Sequence, residues 1–117
     1  MTTVTIYHNP RCSKSRETLA LLEQRGIEPT VVLYLQQPPD VAPLRQLVQS
    51  LGLSSVRALM RTKEEEYQAL GLDDPALSEE ALLTALAAHP KLMERPIVVA
   101  QGKARLGRPP EQVLEIL

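Results

Sequence analysis

The chain has 117 residues, enough for one domain whose core needs no metal or disulfide staple. Its 44% apolar and 23% charged residues exclude intrinsic disorder, and a formal charge of -1 argues against nucleic-acid binding by bulk electrostatics. Three Tyr with no Trp or Phe leave little for stacking bases, and the longest apolar runs, Val31–Leu33 and Ile97–Ala100, fall far short of a membrane span. Met1–Ile6 shows no basic region followed by an apolar stretch, so no signal peptide is expected, and the lone Cys12 makes the cytoplasm the expected compartment.

Val4-Thr5-Ile6-Tyr7 alternates and is β-rich, which predicts a first strand. His8-Asn9-Pro10 signals a turn, and Lys14–Arg25 a helix with Gly26 placed as its C-terminal cap. Thr30–Leu35 reads as a second, largely buried strand, completing a βαβ unit with a right-handed crossover. After Pro38-Pro39-Asp40, the residues Leu44, Leu47, Val48 and Leu51 recur at helical spacing ahead of Gly52. Shorter helical pieces follow at Ser55–Met60 and Glu64–Leu70. Ser78 reads as the N-cap, and Leu77 with Leu82 as the hydrophobic staple, of a helix ending near His89-Pro90. Ile97–Ala100 and Ala104-Arg105-Leu106 are strands around a turn at Gln101-Gly102-Lys103. Pro109-Pro110 opens a last helix carrying Val113, Leu114 and Leu117. This layout predicts a single α/β domain of the thioredoxin-like (glutaredoxin-like) type. Residues 1–38 and 90–117 form a four-stranded mixed sheet with its helices, and an all-helical block is inserted at about 39–89.

Cys12 is the first candidate for chemistry. A strand running through a turn into a helix puts this side chain at the helix N-terminus, where unpaired N–H groups and the helix dipole favour a thiolate. Arg11 and Arg16 add positive charge, and His8 stands four residues upstream. Most lone cysteines are small buried hydrophobes, but a polar turn flanked by cations favours the reactive reading. Cys12-Ser13-Lys14-Ser15 has serine where a thioredoxin-like motif carries its second cysteine. An oxidised Cys12 therefore needs an outside thiol such as glutathione. Nine Arg against four Lys suit an oxyanion site, because the planar fork pairs two oxygens at once. Arg57, Arg61, Arg95, Arg105 and Arg108 are all candidates, and spacing does not choose among them. Two His and one Cys without ligand spacing predict no metal site. Lys63-Glu64-Glu65-Glu66 reads as a solvated helix start.

Ile6-Tyr7-His8-Asn9-Pro10-Arg11-Cys12-Ser13-Lys14-Ser15-Arg16 resembles the active-site segment of the glutathione/glutaredoxin-coupled arsenate reductases. Leu33-Tyr34-Leu35, Val56–Arg61, Glu94–Val99 and Leu106-Gly107-Arg108-Pro109 resemble further blocks of that family in the same order, so the resemblance spans essentially the whole chain. It implies Cys12 as the nucleophile toward arsenate and His8 as a group that helps keep the thiol ionised. Arg61, Arg95 and Arg108 would gather around the oxyanion, with Ser15 and Arg16 as further substrate-binding residues. Glutathione, the thiol co-substrate, would attack the arsenic adduct, and glutaredoxin would resolve the mixed disulfide as arsenite is released. No bound cofactor, nucleic acid or membrane is expected, and the protein is expected to serve arsenic detoxification as a monomer.

Two positions depart from the family pattern. Arg11 replaces a small residue found in some members, and Gly107 stands where some longer members carry cysteine. A glutathione-dependent thiol–disulfide reductase or deglutathionylase is the rival reading. More distant is a regulator resembling Spx, which binds RNA polymerase, but Ser15 removes the Cys-x-x-Cys pair of its redox sensor. Because thioredoxin-type folds place a cis proline before the strand that faces the cysteine, the Arg95–Pro96 peptide is expected to be cis.

Overall fold

The computed structural model describes Thr3–Leu117; Met1 and Thr2, part of the segment read above for a signal peptide, lie outside the described residues. The chain divides into two compact units. One runs up to Gln37 and resumes from Arg95 to Leu117, and the other is Pro38–Glu94.

The first unit contains β1 (Val4–Tyr7), α1 (Ser13–Gln24), β2 (Thr30–Val32), β3 (Ile97–Ala100), β4 (Lys103–Leu106) and a 3₁₀ helix at Pro110–Ile116. The strands form one mixed sheet in the order β2-β1-β3-β4, the expected thioredoxin-like arrangement. Ile6 of β1 lies opposite Val31 in the parallel pair with β2 and opposite Val98 in the antiparallel pair with β3. Val98 in turn faces Arg105 across the antiparallel pair with β4. Period-two alternation buries Val4 and Ile6, and these join Leu22, Val98, Ala100, Val113 and Ile116 in the core. Helix α1 ends where Gly26 takes φ +74, its N–H on Glu23 O and the Ile27 N–H on Leu22 O, both at 3.0 Å. Those are the two bonds of a Schellman motif, which the glycine permits because it lacks Cβ. At the β3–β4 hairpin, Gln101 and Gly102 have φ of 55 and 77, the positive values a two-residue turn needs to match strand twist.

Two expectations are corrected here. The second strand is not the largely buried run Thr30–Leu35. It is three residues long, Val31 is 41% and Leu35 44% exposed, and Leu33 O accepts from the N–H groups of Gln36 and Gln37 as the chain turns. As the sheet edge, β2 is paired on one side only, so its apolar residues are covered far less than those of the central strands. The last helix is 3₁₀ and turns Pro110, Val113 and Ile116 inward, not Leu114 and Leu117. Spacing by threes puts these residues on one face of a helix with three residues per turn. The Arg95–Pro96 peptide is cis as expected, and so is Arg108–Pro109.

The second unit is helical: α2 (Val41–Leu51), a 3₁₀ turn at Val56–Leu59, α3 (Glu65–Ala69), α4 (Glu79–Ala88) and a 3₁₀ turn at Pro90–Leu92. Ser78 caps α4 as expected, its Oγ accepting from Ala81 N–H at 3.1 Å. Leu44 and Leu47 of α2, Val56 and Leu59, and Leu82, Leu83 and Leu86 of α4 are buried. The C-terminal boundary of this unit lies at Glu94, not near 89. Met60 bridges Met93, Arg61 N–H donates to Leu92 O at 2.6 Å, and Glu94 N–H donates to Leu59 O at 2.8 Å. Backbone pairing thus ties 90–94 to the helical residues.

Candidate active site at the start of helix α1

The parallel ladder continues one residue past β1, with His8 N–H donating to Val32 O at 2.9 Å. Asn9 then builds the turn. Its side-chain Oδ1 accepts from Arg11 N–H, and its backbone O from Cys12 N–H, each at 3.0 Å. This leaves Cys12 as the N-cap of α1, extended at φ -94 and ψ 123 and 9% exposed. No acidic residue occupies the first turn of α1, so nothing there opposes the dipole's attraction for an anion.

Arg95 and Arg108 meet at this cysteine. Arg108 Nε donates to Arg95 O at 2.8 Å, and its Nη2 lies 3.8 Å from Cys12 Sγ. Arg95 Nε and Nη1 are buried without a hydrogen-bond partner among the described residues. Burial pushes the Cys12 thiol up, but this is outweighed by the Ser15 backbone N–H, the Arg95 charge, the Lys14 N–H and the Arg108 charge. The thiol therefore ends below its ordinary value.

His8 lies against Ser15 at the start of α1. Its Nδ1 is 2.6 Å from Ser15 Oγ, and burial, then the charge of Arg16, holds the ring below its ordinary imidazole range. His8 is not among the groups that lower the cysteine. Ser15 is fully buried, and its Oγ also accepts from Asn9 N–H at 3.0 Å. The buried hydroxyl is satisfied when it donates to His8 Nδ1, so it joins the turn to the helix instead of facing a substrate. Arg16 donates from Nη1 to Pro10 O at 2.8 Å. Neither it nor Arg11 is among the groups that lower the cysteine. Arg61 belongs to the helical unit, where its Nη1 pairs with Glu64 Oε1 at 2.7 Å. Glu64 is thus half-buried and engaged, not part of a solvated helix start.

Sequence reasoning placed Asn9 in a turn but missed what its side chain does, although Asn ahead of Pro in a turn is a signal for side-chain-to-backbone bonding. It also missed what Gly107 does. A Cβ there would collide with Thr18 Oγ1 and come within 2.7 Å of Pro96 Cγ. Gly107 N–H donates to Pro96 O at 3.0 Å, so this glycine lets the end of β4 lie against Thr18 of α1 and Pro96. Among the described residues, no group of three or more His, Cys, Asp or Glu could hold a metal ion, and no helix is long and apolar enough to cross a membrane.

Known proteins resemble this chain over nearly its whole length. The chain is 67% identical over 114 residues to the Escherichia coli K12 protein called uncharacterized protein YfgD, covering 97% of this chain and 96% of that one. It is 54% identical over 117 residues, all of both chains, to a protein of Neisseria meningitidis serogroup A named arsenate reductase. A solved structure described as arsenate reductase from Vibrio cholerae superposes with a TM-score of 0.97 at 64% identity, covering 99% of this chain and 98% of that one. Residues 7–116 match the ArsC family, and the chain belongs to it.

Proposed function

We propose that the protein is a cytoplasmic arsenate reductase with Cys12 as nucleophile, glutathione as reductant and glutaredoxin as the partner that resets it. The observation that carries this reading is the Arg95 guanidinium, whose Nε and Nη1 are buried and unpartnered among the described residues, beside a cysteine whose thiolate is favoured. Buried N–H donors on a permanent cation are costly unless something negative accepts from them. A tetrahedral oxyanion accepts from two such donors at once, and Arg108 adds a second fork next to Sγ. Arg61 enters the reading through the family resemblance, as a third arginine for the oxyanion.

The chemistry runs in three balanced steps. The Cys12 thiolate attacks arsenic(V) and forms a sulfur–arsenic bond as one hydroxyl of the oxyanion leaves, taking a proton from solvent to become water. Glutathione thiolate then attacks Cys12 Sγ. The sulfur–arsenic bond breaks with its electron pair going to arsenic, which leaves as arsenite, and a Cys12–glutathione disulfide remains. A second thiol, delivered by glutaredoxin, attacks the glutathione sulfur and returns Cys12 as thiolate. With one cysteine in the chain, no internal thiol can take over the last step. His8 and Ser15 act by holding the first turn of α1, not by proton transfer to sulfur.

The test is an arsenate-to-arsenite assay with glutathione and glutaredoxin, run beside reduction of a small neutral disulfide. Arsenite formation lost in Cys12→Ser supports the reading. Disulfide reduction without arsenite formation replaces it with a general thiol–disulfide reductase.

A further inference from the structure

We propose that the cleft between the Cys12 turn and the turn after β2 is the subsite for an anionic thiol peptide, with Arg11 as the residue that selects it. The inference rests on the reading that an outside thiol such as glutathione resolves Cys12. A cavity of about 320 Å³ opens here, with Asn9 and Arg11 on one wall and Leu33, Leu35 and Gln36 on the other. The walls are fixed to each other, because His8 N–H is bonded to Val32 O and the far turn is closed on Leu33 O. The cleft therefore belongs to the same unit as the cysteine, and one wall ends at the residue directly before it.

Arg11 has the properties of a reader of carboxylates. Its backbone N–H is anchored on Asn9 Oδ1 at 3.0 Å, so the residue is placed by the turn. Its guanidinium has no hydrogen bond or ion pair among the described residues, whereas Arg16 commits Nη1 to Pro10 O and Arg108 commits Nε to Arg95 O. Nor does its charge contribute to lowering the cysteine, as those of Arg95 and Arg108 do beside the Ser15 and Lys14 N–H groups. The side chain is left available to an outside group. Around it the exposed Leu35 offers an apolar floor, and Asn9 and Gln36 offer amide donors and acceptors. A small peptide bearing a thiol, two carboxylates and backbone amides complements that set, since the arginine fork matches a carboxylate with two N–H donors. A neutral thiol such as 2-mercaptoethanol has nothing for Arg11 to hold.

The experiment compares wild type with R11A, R11E, R11K and, on the opposite wall, L35E. Two ratios are measured: the efficiency of glutathione over 2-mercaptoethanol in arsenate turnover, and the rate of Cys12 attack on oxidised glutathione over 2-hydroxyethyl disulfide. The second reaction needs no arsenate, because thiolate attack on the disulfide yields the Cys12 mixed disulfide and one free thiolate. Both ratios are expected to fall about threefold to fivefold in R11A, the scale of one exposed charge pair. They should fall further in R11E and L35E and recover in part in R11K. Ratios that stay at the wild-type value in R11A and R11E overturn the proposal. If no arsenite forms in wild type but the second ratio falls, the arsenate reading fails while the thiol subsite stands.

Discussion

Arg108 holds Arg95 O through Nε at 2.8 Å while its Nη2 reaches to 3.8 Å from Cys12 Sγ. One guanidinium therefore reads both the carbonyl before the cis proline and the sulfur at the start of α1. Its position depends on backbone geometry and not on a flexible ion pair.

The first prediction concerns the sulfur. Because Arg95 and Arg108 help to hold the thiol below its ordinary value, alkylation of Cys12 by iodoacetamide should inflect at lower pH than a free cysteine. Removing a cation destabilises the thiolate, so Arg108→Ala should move the inflection upward and slow alkylation at neutral pH. His8→Gln should leave the inflection near that of wild type, since a neutral ring lends the sulfur no charge.

Replacement of Arg95 by Lys keeps the charge but loses the fork. Two N–H groups, Nε and Nη1, are buried and unpartnered here, and an ammonium on a longer stem cannot present both. Arsenate turnover should fall about a hundredfold to a thousandfold, the range for losing one oxyanion donor. An unchanged kcat/KM in R95K would remove Arg95 from the reaction.

Gly107→Ala should destabilise the fold by about 1–3 kcal/mol, the usual cost of overpacking. The added methyl meets Thr18 Oγ1, itself bonded to Lys14 O at 2.8 Å, and Pro96 Cγ at 2.7 Å. The double variant G107A/T18A should recover part of the loss in thermal melts, because the Thr18 contacts are gone and that with Pro96 remains.

The stability of the folded chain should also depend on His8. Its pKa is lowered on folding, chiefly by burial and then by Arg16, so the unfolded chain takes up the proton first as pH falls. The contribution is complete above the ordinary value of 6.5 and is lost as pH drops from there toward the folded value. Wild type should lose more of its melting temperature than His8→Gln between about pH 7 and pH 5. Equal losses would mean that the ring is not held neutral.

Much of this arrangement is legible in the residues. The alternation of Val4–Tyr7, the helix formers ending at Gly26 and the apolar Ile97–Ala100 mark the sheet and place Cys12 at a helix start. Local pattern did not show which face of an apolar run is covered. Val31 and Leu35 look like core by composition but lie at an edge, and the inward spacing Pro110, Val113, Ile116 fits a 3₁₀ helix as Leu114 and Leu117 do not. Charge near Cys12 was legible only in part. Arg11 and Arg16 are adjacent in sequence, yet the cations that act on the sulfur are Arg95 and Arg108, brought there by the sheet. Proximity along the chain is a poor guide to a guanidinium's partners, because its long stem can turn to solvent or to a backbone carbonyl, as Arg16 does.

The most direct test of the account is non-reducing mass spectrometry after reaction with arsenate and glutathione in the absence of glutaredoxin. One glutathione per chain, linked to Cys12, should accumulate together with one equivalent of arsenite, and Cys12→Ser should show neither. Arsenite formed over many cycles with thioredoxin alone, without a glutathione adduct on Cys12, would contradict it.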